Sequence, residues 1–536
     1  MTSLPVFSFD HDHGVPARSL VDLLGGKGAG LAEMTRALRL PVPPGFTIAV
    51  PLCQRYREGG WPDGLDDVLQ ERIAELNQKM GRTFGDEHDP LLLAVRSGAP
   101  RSMPGMLDTV LNLGLNDRTV LGLARSSGNE EFAWDSYRRF LHMFATTVMG
   151  VPAEALPALS SGDPRRHVAE LKTAIERVAG RPVPADPTDQ LKQAIEAVFR
   201  SWDNPRARAY RAAEGIDEDT GTAVNVQAMV FGNYGRDSGT GVVFTRNPNT
   251  GHAELYGDYL PCAQGEDVVA GRAKTLPISQ LAEHLPDAYG ELVRALRRLE
   301  VHYRDICDVE FTVERGKLWL LQTRVAKRGA VAAVRAAVQL VDDPEIALSP
   351  AEAVSRVPQS VRERARNEVL TSAGQAAGTD HPLLGTGLGA SPGRVTGRVV
   401  LSSEAAAEAE GDIILVRPET SPEDVAGMAV ATGILTTSGG LVSHAAVVAR
   451  GWGIPAVVGA QGLTVTSDAI LTSDGRRIRE GDIITIDGSS GQVWLGAVTA
   501  DSTHTRGPQD ILAAELPELA VLERWASEET SSGETL

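Results

Sequence analysis

The stretch DVEFTVERGKLWLLQTR, residues 308–324, is the clearest β-hairpin in the sequence. Polar and apolar residues alternate in its first half, which puts Asp308 and Glu310 on one face of a strand. The second half alternates as well and puts Gln322 and Arg324 on one face. Whether the two polar faces coincide depends on the turn that joins the strands.

Two turns are compatible with this hairpin. A two-residue turn at Arg315 and Gly316 pairs Glu310 with Leu321 and puts the polar sets on opposite sides. A three-residue loop with Gly316 at positive φ pairs Glu310 with Gln322. Only this loop gathers the oxygen ligands that suit Mg²⁺ on one face. The alternative is a solvated face with a surface salt bridge, and the pattern alone leaves both open.

Three glycine-rich segments carry cationic side chains, and glycine lets the backbone approach a phosphate group closely. Each segment has a structural alternative, such as a surface turn, a connection with buried methionines or a wide hairpin turn. Together they favour an anionic ligand with several phosphates, although the first lacks the Walker A spacing. The segments are LLGGKGAGLAEM (23–34) with Lys27, AVRSGAPRSMPGMLDTVLNLGLND (94–117) with Arg96, and FGNYGRDSGTGVVFTRNP (231–248) with Arg246.

The stretch GGLVSHAAVVARG, residues 439–451, places a lone histidine, His444, at the start of a predicted helix. Taken alone, this histidine is either a structural residue or a nucleophile at a helix N-terminus. Its ordinary pKa near 6.5 leaves it neutral at pH 7, as a nucleophile requires. The free N–H groups of a helix start would also stabilise a phosphoryl group on the ring.

Length and charge limit the class of protein. The 536 residues are enough for two to four domains. A formal net charge of −18 argues against nucleic acid or an anionic membrane as the main partner. The three cysteines show no paired spacing, and neither a signal-peptide pattern nor a long apolar run occurs. These features predict a soluble cytoplasmic enzyme.

Changes in composition along the chain predict the order of its domains. We expect a first region at 1–330 with a helical insertion at about 120–215, a helical linker at 331–382, a compact α/β domain at 383–500, and a polar tail at 501–536 that frays around one helix near 509–525.

Seven motifs, in this order, resemble the pyruvate, phosphate dikinase family between about residue 20 and residue 498. The loop sequence SMPGMLDTVLNLG is the most specific, because related phosphoenolpyruvate synthases and rifampicin phosphotransferases differ there. The motifs are LLGGKGAGLAEM, VRSGAPRSMPGMLDTVLNLGLND, FGNYGRDSGTGVVFTRNP, AQGEDVVAG, DVEFTVERGKLWLLQTR, VRPETSPEDVAGM and GGLVSHAAVVARG.

The resemblance implies an α/β and α+β multidomain fold, with an ATP-grasp nucleotide-binding domain followed by a swivelling α/β phosphohistidine domain. It implies ATP and inorganic phosphate as substrates and Mg²⁺ as cofactor. In the family, a histidine takes up a pyrophosphoryl group from ATP and releases AMP. It then passes the terminal phosphate to inorganic phosphate, which forms pyrophosphate. An α/β barrel lets the remaining phosphohistidine convert pyruvate to phosphoenolpyruvate.

The resemblance also implies the roles of individual residues, with His444 as the phosphoryl acceptor. Glu310 and Gln322 are the implied Mg²⁺ ligands. The implied nucleotide-binding residues comprise Lys27 and Arg96 on the phosphates, Gly105 in a covering loop, Asp308 and Arg324 beside the metal ligands, and Arg246 as a further candidate.

Three departures from the family pattern affect these expectations. The family's barrel needs roughly 250 residues, and far fewer follow residue 498. We therefore expect the barrel to be absent here and to be supplied by a separate barrel protein. Val442 replaces a threonine that is regulatory in plant enzymes, and Ser438 replaces a common arginine. The segment GWGIPAVVGA (451–460) is more similar to the synthases.

Three functions are compatible with these motifs. The first is the ATP- and phosphate-dependent half of a dikinase, which phosphorylates His444 for a separate phosphoenolpyruvate/pyruvate-binding barrel protein. The second is a phosphotransferase to another small molecule. The chain has no long inserted acceptor domain between residues 330 and 385, and this argues against the second function. The third is a non-catalytic phosphocarrier or regulatory paralogue, which retention of the site residues disfavours. We expect the first, without nucleic acid or membrane partners, and a homo-oligomer is compatible with it.

Overall fold

The computed structural model describes residues 4–101, 103, 105–158, 162–269, 275–373, 381–441, 443–498 and 507–533. The chain forms two compact units. The first consists of Met1–Gly239 and Phe311–Arg324, and the second of Thr240–Glu310 and Val325–Leu536. The outer part of one hairpin, Phe311–Arg324, therefore belongs to the first unit.

An antiparallel five-stranded sheet in the order β1-β2-β7-β5-β6 is the centre of the first unit. All six residues of its middle strand, β7, are buried, because helices cover both faces of that strand. A short parallel pair, β3 and β4, lies outside this sheet. The strands are β1 (Val6–Ser8), β2 (Gly45–Ile48), β3 (Thr83–Phe84), β4 (Pro90–Leu91), β5 (Leu93–Gly98), β6 (Thr109–Leu113) and β7 (Ala223–Ala228).

In the described part of the first unit there are eight α-helices, and five of them lie consecutively between β6 and β7. Asn129, Asp163 and Asp186 begin three of these helices, since each side chain accepts a hydrogen bond from a free backbone N–H. The helices are α1 (Val21–Ala32), α2 (Val50–Gly59), α3 (Leu65–Met80), α4 (Thr119–Ser127), α5 (Glu130–Met143), α6 (Pro164–Ala179), α7 (Pro187–Ser201) and α8 (Pro205–Glu214).

The strands that follow form a second five-stranded sheet in the order β10-β9-β8-β11-β12. Its last two strands are the hairpin that the sequence predicts. The strands are β8 (Gly239–Phe244), β9 (Tyr256–Pro261), β10 (Leu276–Pro277), β11 (Cys307–Glu314) and β12 (Lys317–Val325).

The turn of this hairpin differs from the three-residue loop that the Mg²⁺ argument required. Only Arg315 and Gly316 separate the strands, with φ values of 50° and 75°, as in a type I′ turn. At the base of the hairpin, the Ala326 N–H donates to the Ile306 carbonyl oxygen at 2.8 Å. Between the turn and this bond, the β12 side of the hairpin has one residue more than the β11 side. The pairing of the two strands therefore shifts by one residue, and this shift arises from a β-bulge and not from the turn.

Eleven α-helices lie in the second unit, counted over the residues that the structure describes. The helices α12 to α14 pack with the last two helices through a shared apolar core. The helices are α9 (Gly265–Val269), α10 (Gln280–His284), α11 (Pro286–Tyr303), α12 (Ala330–Asp342), α13 (Pro350–Arg356), α14 (Gln359–Ala373), α15 (Ser403–Glu408), α16 (Val425–Val430), α17 (His444–Trp452), α18 (Pro508–Glu515) and α19 (Glu518–Gly533).

The end of the chain differs from the fraying tail with a single helix that the sequence predicts. Ile511, Leu516, Leu519 and Leu522 are buried against α12 to α14. Two helices form here, since Ile511 lies on α18, Leu519 and Leu522 lie on α19, and Leu516 is the C-cap residue of α18.

A closed barrel in the order β13-β17-β16-β15-β14-β21-β22 carries the predicted histidine helix. The strands β14 to β17 pair in parallel, and α15, α16 and α17 connect them. The strands are β13 (Leu383–Ser391), β14 (Arg394–Val400), β15 (Ile413–Arg417), β16 (Gly433–Thr436), β17 (Ala456–Gln461), β21 (Ile483–Asp487) and β22 (Gln492–Leu495), with a small sheet of β18 (Leu463–Val465), β19 (Ala469–Thr472) and β20 (Arg477–Arg479).

Within the described ranges, the chain has no helix with the length and apolar character that crossing a membrane requires.

Candidate functional site

The glycine-rich segment around Lys27 lies in α1, which is kinked at Gly25 with φ 69° and ψ 162°. A Cβ atom at Gly25 would lie 1.6 Å from the carbonyl oxygen of Gly98, at the end of β5. The Gly26 N–H donates to the Ala99 carbonyl oxygen at 2.9 Å. The glycines therefore let α1 lie directly on the sheet backbone, and this contact positions Lys27.

We expect Gly25→Ala to destabilise the first unit far more than Gly81→Ala. Gly81 lies in the left-handed region with φ 66° and ψ 18°, where alanine costs about 1–2 kcal/mol, whereas the Gly25 conformation with φ 69° and ψ 162° is essentially restricted to glycine. Only at Gly25 does the new Cβ also meet backbone, whereas nothing described lies within 4 Å of a Cβ at Gly81. Urea denaturation followed by tryptophan fluorescence compares the variants. Equal denaturation midpoints would contradict the close contact between α1 and β5.

Arg96 lies on β5, and its Nη1 donates to the carbonyl oxygen of Leu321 at 3.4 Å. The loop that follows contains Gly105, which is exposed and has a φ of 72°. The neighbouring Met103 and Met106 are buried. The methionines thus pack inward, as in the structural alternative for this loop, while the exposed Gly105 remains accessible to a ligand.

Helix α8 anchors the far end of this loop. Arg206 Nε donates to the carbonyl oxygen of Met106 at 3.1 Å, and Arg206 also pairs with the Asp108 carboxylate. Burial raises the pKa of Asp108, and the charge of Arg206 opposes this shift. The loop is therefore held at its base by an ion pair.

The segment FGNYGRDS, residues 231–238, supports the tip of the β11–β12 hairpin. The Phe231 N–H donates to Glu314 Oε2 at 2.7 Å, and the Arg315 N–H donates to Ser238 Oγ at 3.0 Å. Burial raises the pKa of Glu314. These contacts give the segment a structural role, which agrees with the structural alternative that the sequence left open.

Arg246, a further nucleotide-binding candidate from the sequence, lies against a buried acid in the structure. Arg246 Nε donates to Glu300 Oε1 at 2.8 Å, and Arg246 Nη1 donates to Gln339 Oε1 at 2.9 Å. The side chains of Arg246 and Glu300 are only 6% and 7% exposed. Since removing either partner would leave a buried charge unpaired, this ion pair is a structural feature of the second unit.

The predicted metal ligands occupy the hairpin strands. Glu310 on β11 is partly exposed and Gln322 on β12 is buried, as is Asp308, while Arg324 is partly exposed. No group of three or more His, Cys, Asp or Glu side chains suited to a metal ion occurs in the part of the chain that the structure describes. One carboxylate and one amide oxygen still fit Mg²⁺, which commonly takes few protein ligands and completes its shell with phosphate oxygens and water.

His444 is the first residue of α17, and the preceding Ser443 caps the helix by accepting a hydrogen bond from the Ala446 N–H. Burial lowers the pKa of His444, and the carboxylate of Asp424 partly opposes this shift. The imidazole is therefore neutral at pH 7. The structure places this residue as the sequence predicts, at the N-terminus of a helix.

The two ring nitrogens of His444 have different surroundings. Nδ1 lies 3.1 Å from Thr420 Oγ1. Nε2 is buried and has no hydrogen-bond partner among the residues that the structure describes. Sequence reasoning missed Thr420, although the polar sequence TSPED, separated from the end of β15 by two residues, was a usable signal.

Arg450 is a second residue that the sequence analysis missed. It lies buried on α17, where Nη2 donates to the Leu441 carbonyl oxygen at 2.9 Å and Nε donates to the Ala390 carbonyl oxygen at 3.1 Å. Its guanidinium also lies over the ring of Phe244, 5.2 Å from the centroid. Arg450 thus fixes the loop before His444, and an arginine in an otherwise apolar helix was its sequence signal.

The glycines before His444 let this loop approach β9 closely. A Cβ atom at Gly440 would lie 2.2 Å from Asp258 Oδ2. Of the two departures in this loop, Ser438 is bonded through its N–H to the Pro418 carbonyl oxygen at 2.8 Å, and Val442 lies outside the described residues.

Two family profiles match the chain. The profile described as "Pyruvate phosphate dikinase, AMP/ATP-binding domain" matches residues 61–276 and 279–343. The profile described as "PEP-utilising enzyme, mobile domain" matches residues 409–491, which include the barrel strands β15 to β17 and His444.

Curated relatives agree with these profiles. The pyruvate, phosphate dikinase of Rhizobium meliloti (strain 1021) is 48% identical over 511 residues, which cover 89% of this chain and 56% of the relative. That of Clostridium symbiosum is 45% identical, covering 91% of this chain and 58% of the relative. The chloroplastic enzyme of Flaveria pringlei is 46% identical, and the match covers 92% of this chain and 53% of the relative. The chain therefore spans little more than half the length of these relatives.

Proposed function

Because this chain belongs to the pyruvate phosphate dikinase family, we propose that it phosphorylates its own His444 with ATP and inorganic phosphate. One observation carries the proposal: a neutral imidazole begins a helix, and its Nε2 has no hydrogen-bond partner within the described ranges. A free nitrogen lone pair at a helix N-terminus is suited to attack a phosphorus atom and to carry the resulting anionic group.

The proposed reaction has two steps. In the first, a ring nitrogen of His444 attacks the β-phosphorus of ATP, the bond from this phosphorus to the AMP oxygen breaks, and AMP leaves. In the second, an oxygen of inorganic phosphate attacks the γ-phosphorus of the pyrophosphoryl group on the histidine. The bond from the γ-phosphorus to the bridging oxygen breaks, pyrophosphate leaves, and the former β-phosphoryl group keeps that oxygen and remains on the ring. Catalysis of such transfers rests mainly on positioning and charge stabilisation.

The proposed roles of the other residues follow from their chemistry. Lys27 and Arg96 would bind the phosphates of ATP, and the loop of Gly105 would cover them. Glu310 and Gln322 would hold Mg²⁺, which supplies positive charge to the phosphate oxygens when it is bound. Asp308 and Arg324 would support these ligands from the same hairpin. Arg246 takes no part in the proposal, because Glu300 and Gln339 occupy its guanidinium.

We further propose pyruvate as the final acceptor, because the matched relatives are named pyruvate, phosphate dikinases. In this proposal a phosphoenolpyruvate/pyruvate-binding barrel binds pyruvate and receives the phosphoryl group. Mixing the phosphorylated chain with pyruvate and an isolated barrel region of a relative is expected to form phosphoenolpyruvate. Absence of phosphoenolpyruvate from this mixture would contradict pyruvate as the final acceptor.

A single-turnover experiment tests the proposed function. The protein is mixed with Mg²⁺, a small excess of ATP and inorganic phosphate, with no pyruvate present. We expect a burst of about one AMP per chain, accompanied by one pyrophosphate, because each histidine reacts once. Release of ADP in place of AMP, or no nucleotide turnover, would contradict the proposal.

A further inference from the structure

We propose that Thr420 is a positioning residue that holds the proton of the neutral His444 imidazole on Nδ1 and so presents Nε2 to the β-phosphorus of ATP. The reaction in this statement rests on the proposed function. The location of the proton is a property of the unphosphorylated protein and is tested separately below.

The topology of the barrel brings Thr420 to the histidine. The neighbouring strands β15 and β16 run parallel, so their carboxyl ends lie at the same edge. Thr420 follows β15, and His444 follows the loop after β16. The two side chains therefore meet at this edge, with Oγ1 of the threonine 3.1 Å from Nδ1 of the ring.

The turn that carries Thr420 is fixed at several points. The Ser421 N–H donates to Asp424 Oδ2 at 2.8 Å, and the Ser421 side chain completes a capping box with the same aspartate. Asp424 is buried, and its Oδ1 lies 3.2 Å from Arg417 Nε. Ser403 Oγ donates to the Asp424 carbonyl oxygen at 3.2 Å. Thr420 is thus held on a braced turn, as a positioning role requires.

The histidine is fixed from the other side. His444 begins α17, in which Ala445, Ala446 and Ala449 are buried against the barrel. The Ser443 cap and the Arg450 bond to the Leu441 carbonyl oxygen hold the backbone on either side of the ring. Both partners of the Thr420–His444 contact are therefore pre-organised.

The chemistry of the attack shows why the location of the proton matters. A neutral imidazole carries one proton, and only the nitrogen without it has a lone pair for attack. A threonine hydroxyl both donates and accepts, so the distance alone permits either tautomer. Attack through Nε2 needs the proton on Nδ1, and the Nδ1–H then donates a hydrogen bond to Thr420 Oγ1. No proton moves in this step: the Nε2 lone pair forms the N–P bond, and the P–O bond to AMP breaks.

The Thr420 contact also strengthens as the reaction proceeds. The ring gains positive charge while the N–P bond forms, so the Nδ1–H becomes a cationic donor to Thr420 Oγ1. Hydrogen bonds from charged donors are shorter and about twice as strong as neutral ones. Thr420 therefore stabilises the transition state more than the ground state, and its loss is expected to lower the rate.

Three variants test this role. Thr420→Val keeps the shape of the side chain and removes the acceptor, and Thr420→Ser restores the hydroxyl. Thr432→Val is the matched control, because Thr432 Oγ1 donates to the Ile413 carbonyl oxygen in the same barrel, at the opposite end of β16. Heteronuclear NMR of protein labelled with ¹⁵N in its histidine rings reports the tautomer, and His444→Asn identifies the signal. Single-turnover AMP formation reports the rate.

We expect the wild type, Thr420→Ser and Thr432→Val to show the Nδ1–H tautomer at His444. We expect Thr420→Val to shift the ring toward Nε2–H and to slow AMP formation roughly ten- to a hundredfold, the range for a lost charge-assisted hydrogen bond. An unchanged tautomer in folded Thr420→Val, or a serine variant as impaired as the valine variant, would overturn the proposal. If the wild type forms no AMP, the proposed function fails, whereas the NMR result still decides the role of Thr420.

Discussion

Replacing His444 with asparagine is expected to abolish the transfer of phosphate from ATP to the protein. An amide nitrogen has no lone pair available for attack, so the variant loses the nucleophile. Removal of a nucleophile commonly costs several orders of magnitude in rate, and we expect a fall of at least about a thousandfold. The measurement is the label that remains on the protein after incubation with β-labelled ATP and alkaline gel separation.

The matched control for this variant is His381→Asn. His381 lies in the same barrel region, is exposed, and contacts the Leu495 carbonyl oxygen through Nδ1. It has no place in the proposed reaction, so its variant is expected to label like the wild type. Retention of label by His444→Asn, or loss of label from both variants, would contradict a phosphoryl group on His444.

Replacing Glu310 with glutamine is expected to give the second-largest loss. The substitution keeps the shape of the side chain and removes the one carboxylate among the two proposed Mg²⁺ ligands. Since charge stabilisation dominates phosphoryl transfer, we expect AMP formation to fall about a hundred- to a thousandfold at limiting Mg²⁺ and to recover partly at high Mg²⁺. Single-turnover AMP formation over a range of Mg²⁺ concentrations measures this effect.

Glu314→Gln is the control for this second variant, because Glu314 lies on the same strand and accepts from the Phe231 N–H. A glutamine oxygen can accept the same hydrogen bond, and we expect the Mg²⁺ dependence to stay unchanged. If Glu310→Gln also keeps the wild-type Mg²⁺ dependence, Glu310 is not a metal ligand.

The sequence predicted those parts of the molecule that local patterns determine. The mixed α/β multidomain fold is confirmed, since the profile of the nucleotide-binding domain matches and the strands and helices alternate as expected. Period-two alternation located the hairpin, and the sequence GGLVSHAAVVARG placed His444 at the start of a helix, as the structure has it.

Features that depend on distant contacts were missed or left open. Thr420 lies 24 residues before His444, and the two meet only because β15 and β16 are parallel neighbours. The partner of Arg246 was open, because the sequence does not show that Glu300 on α11 is buried beside it. The bulge in β12 was also invisible, since alternation fixes the faces of each strand and not how two strands pair.

The most direct test of a phosphoryl group on His444 compares ATP labelled at the β-phosphate with ATP labelled at the γ-phosphate. Each is incubated with the protein, Mg²⁺ and inorganic phosphate, and the labelled peptide is identified under alkaline conditions. We predict that the β-label stays on His444 as an acid-labile adduct, and that the γ-label leaves as pyrophosphate. A γ-label retained on the protein with release of ADP, or a β-label on another residue, would contradict the proposed reaction.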